Sequence, residues 1–337
     1  MLKDLSTSFQ KPVVTMIFAT ALWGLGMVLT KILLAYFHPL TLLLMQLSAS
    51  VSIYWMVAII QRKLMLPQQS RKQNLSTITR HPQGLISPKN IYKYLQLGLP
   101  GILEPGLAYI LSSFGLTMTT ASSASLLTAT EPVMTIGIAW VLWRSSSQQN
   151  LFDNRINFQL VIFSAIALLG VIFTMGLDPN FNQTSLLGDI LIISATACAS
   201  LYTILSQQGV KYLAPVSLAA IQQSFGLLFV GIIWLLTNHH IPNAELLIPK
   251  PVIYLLAMIS GIFQYLLPFW LYLTSLQKLS ASVAAQFLSL IPVFTMLGAC
   301  IFLHERLTSL QTIGMFVTLS AVMGIIRMGG HQSVVKV

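Results

Sequence analysis

Long apolar runs separated by short polar joints make up most of the chain. A bilayer core about 30 Å thick requires roughly 20 apolar residues per helix, and each run is about that long. The pattern predicts ten membrane-spanning helices at residues 13–37, 40–60, 94–118, 121–143, 158–176, 186–206, 215–236, 252–276, 280–303 and 309–327. The expected fold class is therefore an all-α integral membrane protein.

Three joints between these runs are very short, at His38-Pro39, Thr119-Thr120 and Leu279-Ser280. A single very long helix is the alternative at each joint. Proline, serine and threonine favour a turn there, because they interrupt helical hydrogen bonding or compete with it. We expect tight helical hairpins at all three.

The composition excludes a soluble protein. Hydrophobic residues make up 55% of the 337 residues, charged residues only 8%, and the mean hydropathy is +0.78. A soluble domain carries roughly 25% charged residues. The two cysteines, Cys198 and Cys300, lie in apolar runs, so they indicate neither a disulfide framework nor a metal site.

The net charge of +10 raises the question of a nucleic-acid partner, which the placement of the charges excludes. If the N-terminus is cytoplasmic and the spans alternate, fifteen of the 18 Lys and Arg residues lie in the cytoplasm. Lys250 and Arg306 lie outside, and Lys31 lies within the first span. Cytoplasmic loops of membrane proteins are enriched in this way. We expect a multi-pass protein of a bacterial-type plasma membrane, with residues 1–12 and 328–337 in the cytoplasm.

The longest loop, 61–93, carries seven of these cations and no acidic residue. Such a segment can lie against anionic headgroups. It can equally be a solvated loop without a specific partner, and the sequence leaves both interpretations open.

The two halves of the chain resemble each other. Ala121-Ser122-Ser123-Ala124 aligns with Ala281-Ser282-Val283-Ala284 at an offset of 160 residues, and Pro132-Val133 aligns with Pro292-Val293 in the same register. Upstream, Pro39 and Gln46 pair with Pro215 and Gln222 at an offset of 176. An insertion in the 61–93 loop explains the change of offset. Such self-similarity indicates an internal repeat.

We therefore predict two five-helix repeats, at 13–176 and 186–327. An odd number of helices per repeat inverts the second copy relative to the first. Inverted repeats underlie alternating-access transporters, whose solute site lies near mid-membrane. A duplicated scaffold without a transport role is the alternative. Pro132 and Pro292 are expected to kink the fourth and ninth helices at matching positions.

Two acidic residues lie deep within predicted spans. Glu104 and Glu131 each lie roughly 15 Å along their helices, at about 1.5 Å per residue, and they approach from opposite sides. A carboxylate at this depth costs several kcal/mol unless it faces a polar cavity or is neutralised, so it is a functional candidate. We expect the two to share a cavity as part of a substrate or proton pathway. Static hydrogen bonding near Pro105 and Pro132 is the alternative.

Five further residues are candidates for the lining of that cavity. Gln46, Gln222 and Gln264 are polar residues within spans, although hydrogen bonding between helices would explain them equally well. Trp23 and Tyr109 could stack on an organic solute or serve only in packing.

These segments resemble the drug/metabolite transporter superfamily, specifically its EamA-type members with ten helices in two repeats. The resemblance rests on Ala21-Leu22-Trp23-Gly24, on Pro39-Leu40-Thr41, on the fourth-helix segment Leu126 to Val133, and on Ala281 to Phe294 followed by His304-Glu305-Arg306-Leu307. It covers about residues 13–327. It implies a secondary transporter of small organic metabolites or drug-like solutes, including efflux carriers.

Two departures from the family pattern bear on the solute. The acidic residue that often closes the fourth helix is replaced by Trp143-Arg144-Ser145, and Gln46 stands near a position that is often Arg. Apart from Lys31, no span holds Lys or Arg near its midpoint. Because polyanions require fixed cations, we expect an uncharged or zwitterionic solute.

Other chemistry is not indicated. Gly24-x-Gly26 lacks the lysine of a phosphate-binding loop, and His304-Glu305 lacks the second histidine of a zinc-protease helix, so neither ATP hydrolysis, a metal nor another cofactor is expected. Uphill transport would need an ion gradient, with the two glutamates as candidate proton carriers. We expect no enzyme; the alternative is an intramembrane enzyme with Glu104 and Glu131 as its acid–base pair.

The predicted topology can be tested by cysteine accessibility. With an impermeant thiol reagent, Asn243→Cys should react in intact cells, whereas Ser70→Cys should react only after the membrane is permeabilised. The opposite pattern at either position would refute the orientation.

Overall fold

The computed structural model of the chain describes residues 2–72, 91–119, 124, 127–145, 158–175, 183–237, 250–302 and 309–335. All regular elements in these ranges are helical. Several predicted features lie outside the described residues: loop residues 73–90, most of the opening of the fourth span, position 243 and the segment His304 to Leu307.

Thirteen α-helices and two π-helical segments follow one another along the described chain. The α-helices are α1 (Leu2–Leu33), α2 (Pro39–Lys72), α3 (Ile91–Gly98), α4 (Ala108–Met118), α5 (Glu131–Ser145), α6 (Phe158–Met175), α7 (Gln183–Gly209), α8 (Pro215–Thr237), α9 (Pro251–Gly261), α10 (Leu267–Leu276), α11 (Ala281–Leu288), α12 (Ile291–Phe302) and α13 (Ser309–Val335). The π-helical segments are Ile102–Leu107, between α3 and α4, and Ile262–Leu266, between α9 and α10.

Seven helical stretches in the described part are long and apolar enough to cross a membrane. They are Lys11–Leu33, Pro39–Gln61, Tyr92–Met118, Leu186–Gly209, Pro215–Thr237, Pro251–Leu276 and Ala281–Phe302. The other three predicted spans coincide with shorter apolar helices, at Glu131–Leu142, Val161–Gly170 and Thr312–Gly324. The described part of the chain is thus all-helical and has the apolar spans of a multi-pass membrane protein.

The joints agree with the predicted hairpins where they are described. α1 ends at Leu33, four residues earlier than expected, and α2 begins at Pro39. α10 ends at Leu276 and α11 begins at Ala281, so neither joint is a continuous helix. Proline has no amide N–H to lose in a first helical turn, which is why α2, α8 and α9 all start with one.

Interruptions occur at matching positions in the two halves. The two π-helical segments begin 160 residues apart, at Ile102 and Ile262. A turn at 129–130 precedes α5, and a turn at 289–290 precedes α12. Pro132 and Pro292 are the second residues of these helices. The prolines therefore begin new helices after a break, in place of the expected kink within one continuous helix.

Helix packing follows the same correspondence. α1 packs on α10 and α12, and its counterpart α7 packs on α4 and α5. α2 lies against α8, while α6 lies against α13. The largest buried apolar cluster lies where α1, α2, α8, α10 and α11 meet, and it includes Met16, Leu43, Leu218 and Leu273.

The closest backbone approaches are made by two glycines. A Cβ atom on Gly101 would overlap the carbonyl oxygen of Gln222 on α8, and one on Gly261 would overlap that of Gln46 on α2. The two glutamine side chains also correspond: Gln46 Nε2 donates to Thr30 Oγ1 (3.4 Å), and Gln222 Nε2 donates to Ser206 Oγ (3.1 Å). Small residues allow such approaches in lipid, where dispersion between helices replaces the hydrophobic effect.

Alanine at either glycine should therefore destabilise the protein. Because backbone atoms block the added methyl group, Gly101→Ala and Gly261→Ala should each cost about 1–3 kcal/mol, measured as lower thermal stability in detergent. Gly137→Ala is the matched control, because a Cβ atom there meets nothing within 4 Å. Equal stability of all three variants would contradict the close packing.

Candidate functional site

A cavity lies among α1, α4, α7, α10, both π-helical segments and the breaks before α5 and α12. Its volume is about 90 Å³. One water needs roughly 10–15 Å³ on this measure, so the cavity can hold several waters or a compact organic group. Five of the seven residues that the sequence suggests for a solute or proton pathway line it: Trp23, Glu104, Tyr109, Glu131 and Gln264.

Glu104 is placed in the cavity by an interruption of its helix. Its backbone is extended (φ −146°, ψ 123°) within the Ile102–Leu107 segment. The residue before a proline disfavours the α-helical region, and Pro105 follows directly. Glu104 is partly exposed, and this exposure is to the cavity that it lines.

Glu131 reaches the same cavity from the other break. It is the first residue of α5 and only 5% exposed, and its carbonyl oxygen accepts a hydrogen bond from Ser200 Oγ (3.3 Å). The carboxyl groups of Glu131 and Glu104 are close enough to interact electrostatically. Two acidic groups from separate helix breaks thus face one space.

Gln264 is the residue of the second half that corresponds to Glu104, 160 residues later in the sequence. It is 6% exposed, lies in the Ile262–Leu266 segment and lines the cavity. Its Oε1 atom is buried and has no hydrogen-bond partner among the described residues. A Cβ atom on Gly26 would overlap this oxygen, so glycine at 26 leaves the room that the amide occupies.

Aromatic rings form one wall of the cavity. Trp23 packs edge-on against Tyr272, at 5.4 Å between ring centroids, and against Phe269 at 5.3 Å. Tyr109 lies 4.7 Å from Tyr265, and Tyr202 lies 5.9 Å from Phe269. Phe269 is buried behind these rings and holds them together.

Gln46 and Gln222 do not line the cavity. Gln46 Nε2 donates to Ser260 Oγ (2.8 Å) in addition to Thr30, and Tyr202 donates its hydroxyl hydrogen to Gln222 Oε1 (3.0 Å). Both amides therefore connect helices, which is the alternative that the sequence left open. Pro105, Pro132 and Pro292 also lie outside the lining, although each stands beside a break.

Three lining tyrosines were not singled out from the sequence: Tyr202, Tyr265 and Tyr272. Tyr265, Phe269 and Tyr272 are spaced as i, i+4 and i+7, which places them on one face of a helix. This spacing was the available signal for an aromatic wall. The pairing of Thr203 Oγ1 with the Tyr272 hydroxyl (2.5 Å) joins separate helices and had no comparable signal.

The cavity extends toward one end of the helices. Thr30 and Leu116 line it close to the ends of α1 at Leu33 and α4 at Met118. Beside them, Lys31 Nζ donates to the carbonyl oxygens of Leu116 (2.6 Å) and Thr119 (3.1 Å), where it neutralises the negative end of α4.

Asp189 on α7 is also a buried acid, but it does not line the cavity. Its Oδ1 accepts a hydrogen bond from Thr119 Oγ1 (3.1 Å). Among the described residues, no group of three or more His, Cys, Asp or Glu is placed to hold a metal ion. The cavity's own chemistry is that of carboxyl, amide and hydroxyl oxygens beside aromatic rings.

Known proteins that resemble this chain identify its family. An uncharacterized transporter from Methanothermobacter thermautotrophicus is 25% identical over 311 residues, which cover 92% of this chain and 84% of that protein. A solved crystal structure of a protein matches 94% of this chain and 98% of its own with a TM-score of 0.67 and 13% identity, which shows a shared fold. The model of the EamA-like transporter family matches residues 10–176 and again residues 186–327. The chain belongs to the EamA-like transporter family, whose members are membrane proteins that move small solutes across a bilayer.

Proposed function

We propose that this protein is a secondary transporter that moves a small organic solute through the cavity by alternating access. The observation that carries the proposal is the position of the cavity. It lies between elements of both halves, with Glu104 and Gln264 contributed by corresponding helix interruptions. Interrupted helices near mid-membrane are typical of solute sites in such transporters.

We further propose ten membrane-spanning helices in two inverted repeats, 13–176 and 186–327. The mirrored turns, π-helical segments, glycine contacts and glutamine hydrogen bonds support this arrangement. Inversion gives each half the same set of contacts at opposite membrane faces. An exchange of conformations between the halves would then close one end of the cavity and open the other.

The orientation follows from the distribution of Lys and Arg, with both termini in the cytoplasm of a bacterial-type plasma membrane. In that orientation the ends of α1 and α4 at Leu33 and Met118 face outward. The cavity extends toward these ends, which supports an outward-facing conformation. The aromatic rings packed around Phe269 are the proposed closure on the cytoplasmic side.

Sequence considerations make the solute uncharged or zwitterionic, and the cavity supports the exclusion of polyanions. None of its described lining residues is Lys, Arg or His, whereas two are glutamates. A phosphate ester would have no fixed cation to bind it. An untargeted comparison of metabolites in cells and medium, with and without overexpression, would identify the solute and the direction of transport.

Protons are the proposed coupling ion, with Glu104 and Glu131 as carriers. With the identified solute in proteoliposomes, an imposed pH gradient should drive accumulation by the unmodified protein. Glu104→Gln and Glu131→Gln fix the respective group in a neutral form. At least one should abolish gradient-driven accumulation while leaving solute exchange largely intact.

Asp189→Asn is the matched control for these variants. It removes a buried acid outside the cavity and keeps an oxygen that can accept from Thr119, so it should retain accumulation. Uptake by the unmodified protein that ignores the pH gradient would exclude proton coupling and leave a facilitative carrier. Covalent turnover of the solute without net movement would overturn the transport proposal in favour of an intramembrane enzyme.

A further inference from the structure

The polar lining of the cavity includes three side chains whose carboxyl or amide oxygens accept hydrogen bonds. Glu104 and Glu131 contribute two carboxyl groups, and Gln264 contributes the amide oxygen Oε1. No cationic side chain occurs among the described lining residues. The cavity thus carries acidic groups without an internal counter-ion from Lys, Arg or His.

Many hydroxyl groups of the lining already have a hydrogen-bond partner. Tyr202 donates to Gln222 Oε1, Thr128 Oγ1 to the Ala124 carbonyl oxygen (2.7 Å) and Thr196 Oγ1 to the Ile192 carbonyl oxygen (2.8 Å). The Thr203 and Tyr272 hydroxyls are bonded to each other. Most of these hydroxyl hydrogens are thus engaged, whereas the buried Trp23 Nε1–H has no hydrogen-bond partner among the described residues and remains a donor.

Gln264 Oε1 is the acceptor that most clearly lacks a hydrogen-bond donor. It is buried and without a partner in the described part of the chain. A buried acceptor without a donor loses the hydrogen bond that it makes to water in the unfolded state, so native proteins rarely leave one unpaired. A donor supplied by the solute would satisfy it.

Aromatic faces complete the environment. Trp23, Tyr109, Tyr202, Tyr265 and Tyr272 all line the cavity beside the acceptors. The electron-rich faces of such rings attract ammonium groups, and the attraction is greatest where water is excluded. Apolar side chains, among them Leu116, Leu288 and Ile291, are available for the remainder of a solute.

We propose that the transported solute is a compact organic amine, bound in its protonated form. Its ammonium group donates to Gln264 Oε1 and to the carboxyl groups of Glu104 and Glu131, and it lies against the aromatic wall. This inference rests on the proposed transport function and revises its solute class, from an uncharged or zwitterionic solute to an organic cation. A zwitterion fits less well, because its carboxylate would share the cavity with two glutamates and no lining cation.

The binding site can be tested with matched small molecules and the purified full-length protein in detergent. The probes are 2-phenylethylamine and cyclohexylamine, their neutral counterparts 2-phenylethanol and cyclohexanol, the anion phenylacetate, and the zwitterion phenylalanine. At about pH 8 the amines are protonated, because their pKa values resemble that of lysine, about 10.4. Calorimetric titration should show at least one amine binding about tenfold or more tightly than its alcohol, and than phenylacetate and phenylalanine.

Variants of the lining residues test whether the preference for amines arises in this cavity. Glu104→Gln combined with Glu131→Gln should weaken amine binding about tenfold more than it weakens alcohol binding. Gln264→Leu, which removes the unpaired acceptor but keeps a side chain of similar length, should weaken amine binding as well. Asp189→Asn should bind amines like the unmodified protein. A thermal unfolding transition at an unchanged temperature confirms that each variant is folded.

Amines that bind no more tightly than their alcohols, whether both bind or neither does, would overturn the amine assignment. So would a preference for amines that survives in the double glutamine variant. If the amine assignment fails but the proposed function is correct, the protein should still transport a neutral solute through the same cavity. Absence of any solute movement in proteoliposomes would contradict the function itself, so the two failures are distinguishable.

Discussion

Close approach between helix backbones at two glycines is the constraint on which the rest of this structure depends. In lipid, helices gain little from the hydrophobic effect, so their association relies on close packing and hydrogen bonds. Gly101 against Gln222 and Gly261 against Gln46 bring each π-helical segment onto a helix of the other half. These contacts fix where the interrupted helices lie, and the interruptions carry Glu104 and Gln264.

Interrupted helices are costly in a membrane unless their free backbone groups are covered by protein or by a polar cavity. Here the breaks before α5 and α12 and both π-helical segments meet at one cavity. The arrangement concentrates polar atoms where the backbone is already irregular. It leaves the outer surface of the bundle to apolar side chains such as Phe18, Leu228 and Phe316, which are more than half exposed.

Much of this architecture could be predicted from the sequence, because runs of apolar residues and proline-marked joints are local signals. The helix starts at Pro39 and Ala281 agree with the prediction, and the deep carboxyl groups of Glu104 and Glu131 do lie in a shared cavity. The cost of a charge in lipid identified these two residues without knowledge of the fold.

It was harder to predict which face of each spanning helix is directed toward the interior of the bundle. A helix that is apolar on all sides has no periodic pattern to show which face is inward. The sequence therefore could not distinguish Gln46 and Gln222 from the cavity-lining Gln264. In the structure their hydrogen-bond partners, Ser260 and Tyr202, hold them between helices. The breaks at 129–130 and 289–290 were expected as kinks, because a proline alone does not distinguish a bend from a new helix start.

Alternating access makes opposite demands on the two ends of the cavity, and one measurement tests both. Spin labels at Tyr92 and Lys278 report on one end of the cavity, and labels at Met118 and Val252 report on the other. All four side chains are exposed. The two pairs correspond at the offset of 160, since Tyr92 matches Val252 and Met118 matches Lys278. Pulsed electron spin resonance distances, with and without solute and across pH, should shift in opposite directions for the two pairs. Distances that stay fixed at both ends while solute is transported, or that change in the same direction, would contradict alternating access.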